Sequence, residues 1–184
     1  MAAALWMIRY GLDGAEDAAY LDWFHGEHVP EKRARAGYAW AAHYADGAGR
    51  YLALFAAEDA RTFLDPTPGQ WKLRQDETTR RMSAHRRDVS AAILVEVLRD
   101  GHGTRPPGAV RLSALEPADD AAVAAAVQTR LPALAHANGC RWAALLVPVL
   151  GPGGHRILEA WDAPGAMTPA APAWFEGSRI DGPA

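Results

Sequence analysis

The chain is poor in cysteine: Cys140 is its only one. One thiol builds no disulfide framework and no cysteine metal centre. Charge of one sign is also missing. Nineteen lysines and arginines stand against 22 carboxylates, a formal net charge of −3. No basic excess invites nucleic acid or anionic lipid. The one basic cluster, Arg80, Arg81, Arg86 and Arg87, reads as the solvated face of a helix. Long apolar runs are absent. The opening MAAALWMIRYG has no basic leader and is too short for a signal sequence or membrane span, so the expectation is a cytoplasmic protein without a membrane partner. There is no Ser-His-Asp order and no dinucleotide fingerprint. GlyProGlyGly at 151–154 lacks the lysine and helix of a phosphate loop. What remains is 49% hydrophobic and 22% charged, enough apolar material for a globular core.

Two kinds of periodicity alternate along the chain. Leu5–Tyr10 reads as a strand, and Asp13 as the cap of a helix over about 15–28 carrying Tyr20, Trp23 and Phe24 at helical spacing. Pro30 biases Val29 away from helical angles, so the helix is predicted to stop near His28. Gly37 opens a strand to about Tyr44, AspGlyAlaGly at 46–49 turns the chain, and Tyr51–Ala57 returns. A helix around 69–86 and a strand Val89–Leu98 complete a β-α-β-β-α-β order, the ferredoxin-like arrangement. Residues 101–108, rich in glycine and proline, read as a linker.

The pattern then starts again: strand Val110–Leu115, alanine-rich helix from Asp119 to about His136, strands Arg141–Val147 and Arg156–Trp161. Pro30, Gly37, Trp40, Ala41 and Ala42 recur 102 residues later as Pro132, Gly139, Trp142, Ala143 and Ala144, and Ala15–Ala19 recurs at Ala118–Ala122. The division read here is therefore a first half over 1–100, the linker, and a degenerate second half over 109–184, whose tail after Trp161 matches nothing in the first. The expected fold is α+β: two ferredoxin-like βαββ(αβ) repeats whose antiparallel sheets pack as an α/β barrel. Alternation in 38–44 sends Tyr38, Trp40 and Tyr44 to one face, toward a second sheet, and Ala39, Ala41 and His43 to the other, under the helices.

DWFHGEHVP, residues 22–30, gathers two histidines, two carboxylates and two aromatics at the helix end. His28 is the first candidate for catalysis. A neutral imidazole can take and return a proton beside a polarised carbonyl, and its place four residues after Phe24 turns it inward. A histidine in a last helical turn can equally serve the free carbonyls there. Glu27 could orient it, although neighbours on a helix diverge by about 100°. Tyr44 could donate to a developing oxyanion. Trp23, His25, Trp40, His43, Tyr10 and Arg9 are candidate ligand contacts, Arg9 as a clamp for a carboxylate. His25 and His28 are three apart, without the spacing or third ligand of a metallopeptidase, so no metal is expected. Cys140 reads as packed.

Trp23, His28 and Pro30, spaced Trp-x4-His-x-Pro, followed by Gly37, Tyr38, His43 and Tyr44 and by the strand TyrLeuAlaLeuPhe at 51–55, resemble the EthD-like branch of the dimeric α/β barrel superfamily. The resemblance covers about residues 1–98. It implies a barrel of two such sheets, usually from two chains. It also implies a superfamily of cofactor-free monooxygenases, lactone isomerases, polyketide cyclases and dehydratases and some haem proteins. By motif, His28 would be the pocket histidine. Fusion of two halves departs from the pattern, so a homodimer and a monomer closing its own barrel are both open. Three readings follow. The first is a small-molecule enzyme without a bound cofactor, acting on an aromatic or polyketide-like compound. The second is a non-catalytic ligand-binding or assembly protein. The third is a haem protein with His28 or His43 as axial ligand.

Overall fold

A computed structural model describes residues 4–12, 14, 17–103, 105–115, 120–167, 173 and 175–180. Asp13, Ala15, Glu16, Ala118 and Asp119, named above as caps or repeat matches, lie outside the described residues. The first half runs β1 (Ala4–Leu12), α1 (Asp17–Trp23), a π-helical turn (Phe24–His28), α2 (Val29–Arg33), β2 (Tyr38–Ala45) and β3 (Arg50–Ala57). Three short helices follow, α3 (Arg61–Leu64), α4 (Pro68–Leu73) and α5 (Glu77–Ala84), and then β4 (Arg86–Gly101). The second half runs β5 (Ala109–Ala114), α6 (Asp120–Ala125), a π-helical turn (Ala126–Arg130), α7 (Leu131–Ala135), β6 (Cys140–Leu150), β7 (Arg156–Trp161) and β8 (Phe175–Arg179).

All eight strands close one antiparallel barrel in the order β1-β3-β2-β8-β5-β7-β6-β4. Each half contributes its strands in the order fourth, first, third, second, which is the ferredoxin-like sheet. The halves meet at β2–β8 and β4–β6. The tail after Trp161 thus supplies the last strand of the barrel, and its Phe175 is 1% exposed in the interior.

Alternation assigns the two faces of the wall. Leu5 and Met7 of β1, Trp40, Ala42 and Tyr44 of β2, and Leu112, Trp142 and Leu158 of the second half fill the interior. The outer face of the first half, with Ile8, Tyr10, Ala53 and Phe55, packs against Tyr20, Trp23 and Phe24 of the helical layer. One expectation fails. Tyr38 sits on the outer face with Phe55 and Phe63, because the β2–β3 register shifts between Tyr38 and Trp40. A bulge reverses the alternation beyond it.

The helix also does not stop at His28. Val29 keeps helical angles (φ −67°, ψ −46°), and Pro30 falls in the first turn of the next segment. The regular ladder instead gives way one turn earlier. The Val29 amide bonds the Phe24 carbonyl, five residues back. Widening the turn ahead of a proline relieves the contact between its ring and the preceding carbonyl. The second half does the same before Pro132, at the same 102-residue offset. Gly37 and Gly139 follow these helices at φ +87° and +84°, the left-handed exit that glycine allows.

Candidate functional site

The sequence element that builds the site is the π-turn and the helix after it. His28 and Lys32 lie four apart, on one face, and both are buried, at 5% and 6% exposure. The His28 ring is wedged between Trp23 and Phe24, with centroids at 4.7 and 5.4 Å. Its Nδ1 is out of solvent reach and has no hydrogen-bond partner. Burial, reinforced by the cations of Lys32, Arg86 and Arg35, lowers its pKa to about 3. His28 is therefore a neutral imidazole at physiological pH. Burial and then Arg35 lower the Lys32 pKa to about 8, opposed by Glu31 at 3.9 Å.

These two side chains border a cavity of about 410 Å³. Its floor is the outer face of the sheet, Trp6 and Ile8 of β1 with Val89 and Ala91 of β4. Its far wall is α4 and α5, which bring Trp71, Lys72, Arg74, Asp76 and Thr79. Local caps fix that wall. Thr67 and Gln70 form a capping box on α4, and Asp76 accepts from the Thr79 amide at 2.7 Å on α5. The Arg35 guanidinium lies 3.8 Å over the Trp71 ring and pairs with Glu31. Five basic residues line this cavity, Lys32, Arg35, Lys72, Arg74 and Arg86, against two acidic ones, Glu31 and Asp76.

A second cluster occupies the other side of the same helix. Tyr10 hydroxyl and His43 Nε2 are 2.7 Å apart, and His43 Nδ1 and His25 Nε2 are 3.2 Å apart. Tyr20 adjoins Tyr10 and accepts from Arg86 Nε at 2.6 Å. Burial, then His25 and Arg86, hold the His43 pKa well below its usual value. Burial and the neighbouring Tyr20 push Tyr10 up. His25, His43, Trp40, Arg33 and Arg179 border a second cavity of about 480 Å³.

The structure thus divides the expected site residues. Trp23 and His28 stay together. Tyr10, His25 and His43 form the second cluster, and Trp40, from the barrel interior, reaches its cavity. Tyr44 is not with His28: adjacent strand residues face opposite ways, so it points into the barrel and donates to the Pro107 carbonyl at 3.2 Å. Glu27 is exposed and borders neither cavity. Arg9 lies beside Arg50 and Arg87 at a separate depression. Arg86, read as part of a solvated helix face, instead begins β4 and reaches Tyr20. Lys32, Arg35 and Trp71 were not anticipated. Lys32 had a signal, the i,i+4 spacing from His28. Trp71, some forty residues on, had none. Burial raises the Cys140 thiol to about 11, and its Sγ contacts the Trp142 carbonyl at 3.5 Å. Among the described residues no group of three His, Cys, Asp or Glu side chains could hold a metal.

In the second half Arg130 stands 102 residues after His28. It bonds Glu159, fully buried, at 3.3 Å and Ser113 at 3.1 Å, while Arg111 reaches Glu159 at 3.3 Å and Glu176 at 2.8 Å.

No family model and no curated protein matches the sequence. Solved structures do. An anthrone oxidase-like protein superposes with a TM-score of 0.64 at 10% identity, over 97% of this chain and 91% of that one. A candidate monooxygenase from Fusobacterium nucleatum gives 0.60 at 10% identity, over 90% and 78%. A candidate chlorite dismutase gives 0.59 at 12% identity, over 98% and 96%. At such identities the likeness shows the fold, a ferredoxin-like α/β barrel.

Proposed function

We propose that the protein is a small-molecule enzyme that works without a bound organic cofactor and takes a proton from an aromatic or polyketide-like carbonyl compound in the His28 cavity. One observation carries the reading. A buried, neutral histidine shares the wall of one cavity with a buried lysine and an arginine. In the proposed step His28 accepts a C–H proton that the carbonyl acidifies, either directly beside it or, as in anthrone, through the intervening ring. The electron pair moves onto the carbonyl oxygen, and the Lys32 ammonium meets the resulting oxyanion, the role first given to Tyr44. Isomerisation, dehydration, cyclisation and cofactor-free oxygenation all begin with such an enolate. The monooxygenase and anthrone oxidase-like names of the neighbours support the last. The two halves are read as an EthD-like unit fused to a diverged copy, supported by the π-turn, proline and left-handed glycine at one common offset.

Anthrone in deuterated buffer tests the step. The protein is expected to accelerate exchange of the anthrone methylene protons, and His28→Gln to slow it about 10²–10⁴-fold. Exchange unchanged in His28→Gln would remove His28 from the chemistry. A ligand that binds tightly with no exchange or conversion would favour the non-catalytic reading. For haem, His43 does not fit, both its ring nitrogens being engaged. A haemin titration without a Soret shift would dispose of His28 as axial ligand.

A further inference from the structure

The cavity beside His28 is built for negative charge, in a chain whose net charge is −3. Five cationic side chains against two carboxylates line it, and three of the lining residues each carry a buried polar atom without a partner: His28 Nδ1, Arg35 Nη1 and Arg86 Nη2. Buried donors are normally satisfied, and each left unmade costs roughly 1–3 kcal/mol. Arg35 and Arg86 are fixed by their other nitrogens. Arg35 pairs with Glu31 over the Trp71 ring, and Arg86 Nε donates to Tyr20. A guanidinium anchored at one edge has its other edge ready for a carboxylate. The floor is different in kind: Trp6, Ile8, Val89 and Ala91 are apolar.

We propose that the substrate class of this cavity is an aromatic carboxylic acid, its ring on the floor of Trp6, Ile8 and Ala91 and its carboxylate held by Arg35 and Arg86. The inference rests on reading this cavity as the site. It also accounts for a tension in the chemistry. An imidazole held at about 3 by burial and three cations is a weak base, and a bound carboxylate offsets those cations, moving His28 toward the range in which it can accept a proton.

The test uses the full chain and three isosteric probes: 1-naphthoate, 1-naphthylmethanol and 1-naphthylmethylammonium, titrated by calorimetry. The carboxylate is expected to bind at least about tenfold tighter than the alcohol, and the ammonium not at all, with the preference fading in high salt. Arg35→Gln, at a partly exposed residue, is expected to fold and to lose most of the preference. Arg86→Gln, checked by its melting curve, is expected to do the same. Equal binding of all three probes, binding of none, or a preference that survives both substitutions overturns the proposal. His28→Gln separates the two readings. If it keeps the carboxylate preference and the exchange of anthrone as well, the catalytic reading fails and the anion site stands. If exchange needs His28 but the alcohol binds best, the reverse holds.

Discussion

His28 ties the proposed chemistry to a pH-dependent stability. Its folded pKa of about 3 lies below the unfolded value near 6.5. The unfolded chain therefore binds the extra proton first. The stability contributed by a neutral His28 is complete above about pH 6.5 and is lost as pH falls toward 3. Chemical denaturation from pH 3 to 7 should show wild-type stability rising with pH. His28→Gln should rise less steeply, by up to about 1.4 kcal/mol per pH unit. His43, also held low, keeps its own share of the slope in that variant. Lys32 gives a second sign. As the cation that meets an oxyanion, it should make exchange fall as pH rises through about 8. A rate that rises there instead would make the amine the base and displace His28. A third prediction concerns Glu159. Glu159→Ala leaves Arg111 with Glu176 alone and Arg130 with Ser113 alone, and is expected to cost about 1.5–3 kcal/mol in denaturant titration, with anthrone exchange unchanged.

At the scale of elements, the first seven strands were legible because period-two alternation and turn residues mark them locally. His28 facing inward was legible from its spacing to Phe24. The far wall of the cavity was not, because α4 and α5 are short, capped helices whose packing against β4 is a tertiary fact. The π-turn was hidden for a different reason. Proline announces a disturbed ladder but not where the disturbance is taken up, and here it falls one turn upstream. The strand β8 escaped because FEGSR offers one large apolar side chain in five residues. That one side chain matters: Phe175→Ala is expected to lower stability by about 3–5 kcal/mol in a thermal or denaturant melt, through loss of buried surface and the void left behind. A loss under 1 kcal/mol would mean β8 is not seated in the barrel.

At the scale of the molecule, one chain completes by itself the ring that the sequence resemblance led one to expect from two chains. A second copy is then not needed to cover the apolar sheet face, and a native mass spectrum is expected to return a single chain. The two halves differ at the last residue of the π-turn: His28 borders a cavity, whereas Arg130, 102 residues on, is tied to Glu159 and Ser113.

The ring is not equally strong all round. β4 and β6 are zipped along most of their length, whereas among the described residues β2 and β8 pair through Tyr44–Arg179 and Ala45–Ser178 alone. A hoop gives way at its narrowest clasp. This one sits directly after His43, whose carbonyl takes the amide of Ile180 at 2.8 Å. Opening there would leave the other seams intact and turn the barrel into a curled sheet with two raw edges. The same event would loosen the strand that holds His43 and the floor of its cluster. Breathing of the whole fold and access to its histidines would then be one motion, governed by a five-residue strap.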